Sequence, residues 1–437
     1  MRTSRTFAVI ALALWAWPAL AQTPMPMPPA PPRSTGPATT IDALVERAVI
    51  EGPTIRAAWS RVEAAKGSVT QAAARANPEL MTEHRDAFDG MNRQTAVGVA
   101  WPLELGRRQW RASLAIDESA RAALMATEEA RQVAARVRIA AIRALAAERQ
   151  LTIAQDTVEA HHQWCDLLEE KVKEGAAAPL ERDMAEVELK QGQANVTKMR
   201  AEAAARWAEL KAAAGLEPSA PLALTETLEQ AVASLRRTAP TVMGDAVVDR
   251  PDVAVADAAI EIADAKRDLA LREGKLDLKL TATYMRTASG FMQLGMNEAG
   301  FNVPIANRMN EFVIGATVML PWRNRNQGMV AAAAAEKMAA EQDREALVLT
   351  ARAEVAAAEV RDREAGLALE IYTGGLLELA TKNLDVIRQS YQLGRISRIE
   401  VSMEERRYRE VQAGYVAALQ DAYEARVMLT QALGGLR

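Results

Sequence analysis

His161, His162 and Cys165 are the densest gathering of metal-binding side chains in a sequence that holds three histidines and one cysteine. His161 and Cys165 lie four apart and so share a helix face. They supply two ligands to a soft or borderline metal, provided a third comes from elsewhere. No second Cys/His cluster offers it, so the expectation is an incidental helix surface. Met25 and Met27 carry thioethers of the kind Cu(I) prefers, but stand in a Pro-rich tract that reads as an unpacked tail. A Gly-rich phosphate loop, an HExxH helix and a nucleophile elbow are missing from the sequence. Histidine chemistry therefore has little material to work with, and neither an enzyme nor a cofactor is expected. A single cysteine also excludes an intrachain disulfide.

The beginning of the chain reads as an export signal. Arg2 and Arg5 precede an apolar run from Thr6 to Trp17, too short to span a bilayer as a helix, and Ala19-Leu20-Ala21 satisfies the small-x-small cleavage rule. Residues 1–21 are thus expected to be removed before Gln22. Cys165 lies far from that site, so no lipid anchor on the first mature residue is expected. Residues 22–40 follow as a Pro-rich, disordered leader. Losing Arg2 and Arg5 takes the formal net charge from −4 to −6. This mild acidity gives no reason to expect nucleic-acid binding. No later stretch of 18 or more apolar residues occurs, which excludes a membrane-spanning helix but not barrel strands of about 9–11 residues.

From Ile41 onward, Ala, Glu, Arg, Leu and Gln dominate, all good helix formers. Gly106 to Lys171 contains no proline and only its first glycine. As one helix it runs about 100 Å and needs neighbours of similar length. Asn324 to Tyr391 reads likewise, broken only by Gly328, Gly366 and Gly374-Gly375. An internal repeat organises these pieces. Pro102, Gly175 and Gly215 recur 219 positions later as Pro321, Gly394 and Gly434. Upstream, Pro53 recurs 198 positions later as Pro251, which places a 21-residue insertion between Lys275 and Pro321. The domain plan is therefore a first repeat at 41–215, an inter-repeat segment at 216–250 and a second repeat at 251–437.

The inserted segment also reads as strand. Leu276, Leu278, Leu280, Ala282 and Tyr284 alternate with Asp277, Lys279, Thr281 and Thr283; Phe312, Ile314, Ala316, Val318 and Leu320 alternate with smaller or more polar residues. A long Gly/Asn-rich loop with Met285, Met292, Met296 and Met309 in and around it is expected between them. The first repeat carries a weaker hairpin at about 79–101, turning at Asp89-Gly90; the second lies at about 276–320. Such two-faced strands suit lipid outside and water inside, or a soluble sheet with one buried face.

ANPEL at 76–80, WPLELGRR at 101–108, LPWRNRNQG at 320–328 and YQLGRISRIEVSMEERR at 391–407 resemble the TolC-type outer-membrane efflux proteins. The resemblance runs from about residue 41 to the C-terminus, and PLELGRR and RNRNQG look most like the heavy-metal branch, the CzcC and CusC group. It implies a mainly α fold with a small membrane β-barrel: a homotrimer in which each chain gives four strands to a twelve-stranded barrel in outer-membrane lipid. A tandem-repeat α-barrel would extend into the periplasm, with residues 216–250 in an equatorial belt. It also implies a periplasmic adaptor and an inner-membrane resistance-nodulation-division pump as partners. Some metal-branch members carry an N-terminal lipid, which this chain lacks the cysteine to accept.

The same resemblance assigns roles at the two inter-helix turns. Lys173, Glu174 and Gly175 in one tip, and Leu393, Gly394 and Arg395 in the other, fall where family members meet the adaptor; plain helix capping by Gly175 and Gly394 is the simpler reading. Glu400 falls on the position of the family's acidic aperture ring, and Glu181 is its repeat mate. Six such carboxylates in a trimer favour cations, whereas first-turn acids also complement a helix dipole without any further role. One turn on, where an acid is common, stand Met403 and Met184. A drug-efflux or type I protein-secretion channel is the nearest alternative, and a periplasmic adaptor or coiled-coil protein the next.

Overall fold

The computed structural model describes residues 38–88, 92–237 and 247–435. The expected signal peptide, most of the leader with Met25 and Met27, and the Asp89-Gly90 turn lie outside them. In chain order the elements are β1 (Ala38–Thr39), α1 (Ile41–Glu51), α2 (Pro53–Ala73), β2 (Glu79–Asp86), β3 (Asn92–Leu103), α3 (Arg107–Lys173), α4 (Pro179–Ala213), β4 (Ala223–Leu224), α5 (Leu228–Arg237), α6 (Pro251–Glu273), β5 (Asp277–Met296), β6 (Asn302–Met319), α7 (Gln327–Ile371), a π-helical turn (Tyr372–Leu376), α8 (Leu377–Gln392) and α9 (Arg398–Ala432). The fold is mainly helical with a small strand portion, as expected. The repeat is visible in the element starts: α4 and α9 begin 219 positions apart, and α2 and α6 begin 198 apart; α2, α4 and α6 have proline in the first turn.

Proline suits those helix starts because its missing N–H is unsatisfied there in any case. The Ala-, Glu- and Arg-rich composition then carries α3 through 67 residues, about 100 Å. Around its midpoint lies the principal hydrophobic core. Val137, Ala141, Ile142 and Leu145 of α3 pack with Ile41, Leu44 and Val45 of α1, Leu228 and Val232 of α5, Leu210 of α4 and Val416, Leu419 and Tyr423 of α9. The described part of the inter-repeat segment thus closes over the waist of the helices. The expected leader ends earlier than residue 40: Ala38 and Thr39 pair in parallel with Ala223 and Leu224 of that segment, and Thr40 caps α1. Away from the waist the long helices bury mainly alanines and leave Ile116, Met125, Leu349, Val360 and Leu367 exposed.

At one end of the helices stands a single four-stranded antiparallel sheet, ordered β2-β3-β5-β6. The two hairpins are joined through β3 and β5, so β2 and β6 are its free edges. The stretch expected as a long loop within 287–310 is instead mostly strand. β5 and β6 continue past a bulge between Gly290 and Leu294 to a tight turn, where the Asn297 carboxamide accepts from the N–H groups of Ala299 and Phe301 and Gly300 takes a left-handed conformation. Glycine and asparagine here serve a bulge and a turn.

Strand and helix are bolted together by the very motifs that carried the family resemblance. Arg111 clasps Glu104 and donates to the carbonyls of Ala72 and Ala74 at 2.9 and 3.1 Å, at the C-terminal end of α2. Arg107 reaches Asp277 at 3.3 Å and the carbonyls of Glu273 and Lys275. Asn326, at φ 61°, starts α7 and donates to the Ala270 carbonyl at 2.9 Å. At this junction a Cβ on Gly274 would overlap the backbone carbonyl of Arg325. Gly274→Ala is expected to cost about 1–3 kcal/mol by forced backbone displacement; a lowered thermal midpoint of the purified protein checks this, and an unchanged one rejects a tight junction.

Candidate functional site

Most of the residues singled out by the sequence lie in two places: the turn end of the helices and the two faces of the sheet. At the turn end, α3 and α8 both finish with a left-handed glycine. Gly175 (φ 75°) and Gly394 (φ 67°) let Ala176 N–H reach the Lys171 carbonyl at 2.7 Å and Arg395 N–H reach the Ser390 carbonyl at 3.0 Å. These 6→1 bonds satisfy the last carbonyls of each helix, as in a Schellman turn. Capping therefore explains both glycines. Lys173 pairs with Glu169 at 2.9 Å, while Glu174, Leu393 and Arg395 are exposed around the turns.

The two repeat-related acids are used differently. Glu400 forms a capping box: its carboxylate accepts from the backbone N–H and hydroxyl of Ser397 at 2.7 and 2.9 Å. Those bonds hold its carboxyl below the usual range. It is fully exposed nonetheless. α4 has Ala178 at the corresponding position and no side-chain cap, so Glu181 is not tied in that way.

The structure reveals a buried polar network behind the turns, joining α3, α4, α8 and α9. Glu405 accepts from Trp164 Nε1 at 3.2 Å, from Arg388 at 3.1 Å and from Arg398 at 3.4 Å. Arg398 also donates to Glu188 at 3.0 Å and stacks over the Trp164 ring, 4.9 Å from its centroid. Ser402 donates to the other oxygen of Glu188. Trp164 meets Tyr391 edge-on at 5.3 Å, and Lys171 lies over Tyr391. The internal repeat does not foreshadow this network, because Arg398 and Tyr391 have no counterparts in the first half: the position 219 before Arg398 is Pro179, and that before Tyr391 is Val172. The conspicuous sequence signal is the charge-rich run after Gly394, whose partners lie on three other helices.

His161 belongs to this network. Its Nε2 stands 3.2 Å from Arg409 Nη1, and Nδ1 faces Glu188 at 3.8 Å. Because a guanidinium only donates, the ring nitrogen beside it must accept, so the imidazole is neutral. Burial, followed by the Arg409 charge, holds its pKa below the usual 6.5, with Glu188 and Glu405 opposing and Arg398 reinforcing the shift. Burial, then Asp166 and Glu186, pushes the Cys165 thiol up, which disfavours the thiolate a metal takes. Among the described residues no group of three or more His, Cys, Asp or Glu is placed to hold a metal. As pH falls below about 6.5 the unfolded chain takes up a proton that folded His161 resists, so this group's contribution to stability declines. Thermal midpoints between pH 7 and 5 should therefore fall less steeply in His161→Gln than in the parent; equal slopes would reject the assignment.

The sheet has an unusual polarity. On one face Val97, Tyr284 and Phe312 form a cross-strand row; Leu80, Val99, Ala282 and Ile314 form the next, and Trp101, Leu280 and Ala316 the next. This apolar face is open: Phe312 is 69% and Ile314 76% exposed. The opposite face, with Ala96, Gly98, Ala100, Thr281 and Thr283, is the less exposed one, as on the concave side of a curled sheet. From Leu276 to Tyr284 the apolar band runs about 26 Å along the strand, near 20 Å of height at a ~40° tilt. Above it come His84, Thr95, Arg286 and Asn310. The soluble alternative, with the apolar face buried in the chain's own core, is not what is found. Among the described residues no helix is long and apolar enough to cross a membrane.

Comparisons with known proteins agree with this architecture. The chain matches the family described as outer membrane efflux protein over residues 44–216 and 242–435. No curated protein sequence matches it significantly. Among solved structures, CusC is similar with a TM-score of 0.73 at 19% identity, over 92% of this chain and 94% of that one. VceC from Vibrio cholerae gives 0.69 at 17% identity, over 90% and 96%. CmeC from Campylobacter jejuni gives 0.72 at 12% identity, over 90% and 85%. The match covers well over half of the sequence, and the chain belongs to the outer membrane efflux protein family, whose members are channels and not enzymes.

Proposed function

We propose that the chain is one third of a homotrimeric duct in the outer membrane, reached through its signal peptide. The observation that carries this is the exposed apolar face of the sheet backed by a polar concave face. With β2 and β6 as free edges, three copies pair edge to edge into a closed barrel of twelve strands, leaving no unpaired strand. The exposed apolar side chains of α3, α7 and α9 find neighbours in the same trimer, and the long helices continue the duct into the periplasm.

In this reading the two turns dock a periplasmic adaptor through Lys173, Glu174, Gly175, Leu393, Gly394 and Arg395. The adaptor links the duct to an inner-membrane resistance-nodulation-division pump, which supplies the energy. PLELGRR and RNRNQG favour heavy-metal cations as cargo over drugs or secreted proteins. Their structural duty as junction clamps makes them a marker of lineage and not a cation site. Glu400 and Glu181 ring the aperture. Because the capping box keeps Glu400 ionised and in place, Glu400→Lys should lower the cation preference of the open pore several-fold in a planar bilayer. Unchanged selectivity would reduce Glu400 to a helix cap.

A sensitivity panel on a strain lacking the chain, with membrane fractionation, tests the whole reading. Hypersensitivity to metal cations alone, with the protein in the outer membrane, supports it. Sensitivity to drugs and detergents instead keeps the duct and replaces its cargo. Recovery of the protein in the soluble periplasm overturns the duct.

A further inference from the structure

The concave face of the sheet carries a thioether pair that a water-filled duct does not need. Met285 on β5 lies directly opposite Glu311 on β6, and Thr287 lies opposite Met309. Residues 285, 287, 309 and 311 therefore share one face, with the two methionines diagonal neighbours across the strand pair. At a diagonal Cα separation of about 7–8 Å, long side chains reach one another. On the other side, Gln94 of β3 is opposite Thr287, and its carboxamide touches the Met285 sulfur. The carboxamide oxygen and nitrogen exchange places by a simple flip, so the same group can present its oxygen there.

We infer that Met285 and Met309, with Glu311 and Gln94 beside them, form a weak site for a soft monovalent cation, Cu(I) or Ag(I), on the duct wall, three sites in the trimer. The inference rests on the reading of the concave face as the lumen and narrows its cargo. Thioethers are soft donors that select Cu(I)-like ions over Zn(II). Packing gives the methionines little alternative employment: neighbours on that face are Ala96, Gly98, Thr283, Thr287 and Ser289, small or hydroxyl-bearing, with Val313 next to Glu311. Glu311 has no ion-pair partner among the described residues, and the basic Arg286 and Arg308 lie on the other face; Arg85, on the concave face, is held by Glu83 at 2.9 Å. Within one chain the local charge is negative, as a cation requires. Two thioethers with one carboxylate give a site that captures the ion and releases it again, as transit demands.

The test uses the purified full-length protein with methyl-labelled methionine, titrated with silver nitrate in chloride-free buffer. The Met285 and Met309 methyl resonances should shift saturably, at about tenfold less Ag(I) than that of Met296 at the exposed tip of the hairpin, because two donors act together. Zinc should move neither. M285L/M309L keeps the side-chain volume and should lose the low-concentration uptake while still migrating as a heat-modifiable oligomer. Equal response of all exposed methionines, or none, overturns the site. In cells, the double variant should fail to restore silver tolerance to the deletion strain; full restoration also overturns the site. A deletion strain with no metal phenotype, alongside local silver binding in vitro, leaves the site standing and removes metal export instead.

Discussion

Replacing Glu405 with alanine should loosen the turn end of the helices by about 3–5 kcal/mol, the usual consequence of removing one partner from a buried ion pair. Glu405 and Arg398 are both under a tenth exposed. Without the carboxylate, Arg398 keeps only Glu188, Arg388 loses its ion-pair partner, and Trp164 Nε1 loses its acceptor. These groups come from α3, α8 and α9, so the loss is felt across both helical hairpins. Hydrogen exchange is the direct measurement. Amides in the last turns of α3 and α8 should exchange about two to four orders of magnitude faster, while the waist core around Ile142 and Tyr423 stays protected. Glu405→Gln retains the shape and an acceptor and should fall in between. Unchanged protection at the turns would mean that apolar contacts between the helices, not the carboxylate, hold them.

A second large effect is expected at the sheet, where a pair of neighbouring substitutions distinguishes lipid from water. Ile314 lies in the middle row of the exposed apolar face, and Thr281 is one register step away on the concave face, opposite Gly315. An arginine facing lipid near the bilayer midplane costs about 2–4 kcal/mol per chain, and in a trimer the cost is incurred three times. Ile314→Arg should therefore nearly abolish heat-modifiable trimer in the outer-membrane fraction, whereas Thr281→Arg should leave its amount close to the parent's and alter conductance. The opposite ranking would turn the sheet inside out. Equal loss from both would mean that the sheet is closed on both faces and lines no duct.

How much of this was legible beforehand follows from which interactions are local. Helix length, the proline starts, the glycine turns and the two-fold repeat are written in propensity and spacing, because each is decided within a few residues of chain. The 21-residue insertion was correctly confined to the second hairpin, but its form was misjudged. Gly290, Gly295, Asn297 and Gly300 read as loop. Only pairing across β5 and β6 makes two of the four a bulge neighbour and a strand residue, because backbone hydrogen bonds to a partner strand override weak strand propensity. Ala38 and Thr39 read as leader for the same reason: their partners, Ala223 and Leu224, are some 185 residues away.

The site divides in the same way. The sequence by itself determined the turns, the acid at each first turn, the alternation of the strands and membership in a family of channels. It did not determine that His161 is committed to Arg409 and Glu188, that Glu400 is folded into its own cap, or that Glu405 gathers donors from three helices. Nor did it reveal that Met285, Met309 and Glu311 share one face at adjacent register positions, since alternation says that two faces exist but not which residues become neighbours. Those facts depend on strand register and on helix rotation, which are set by the summed packing of the whole chain. A charged or thioether group acquires its partners only after that packing has brought distant segments together.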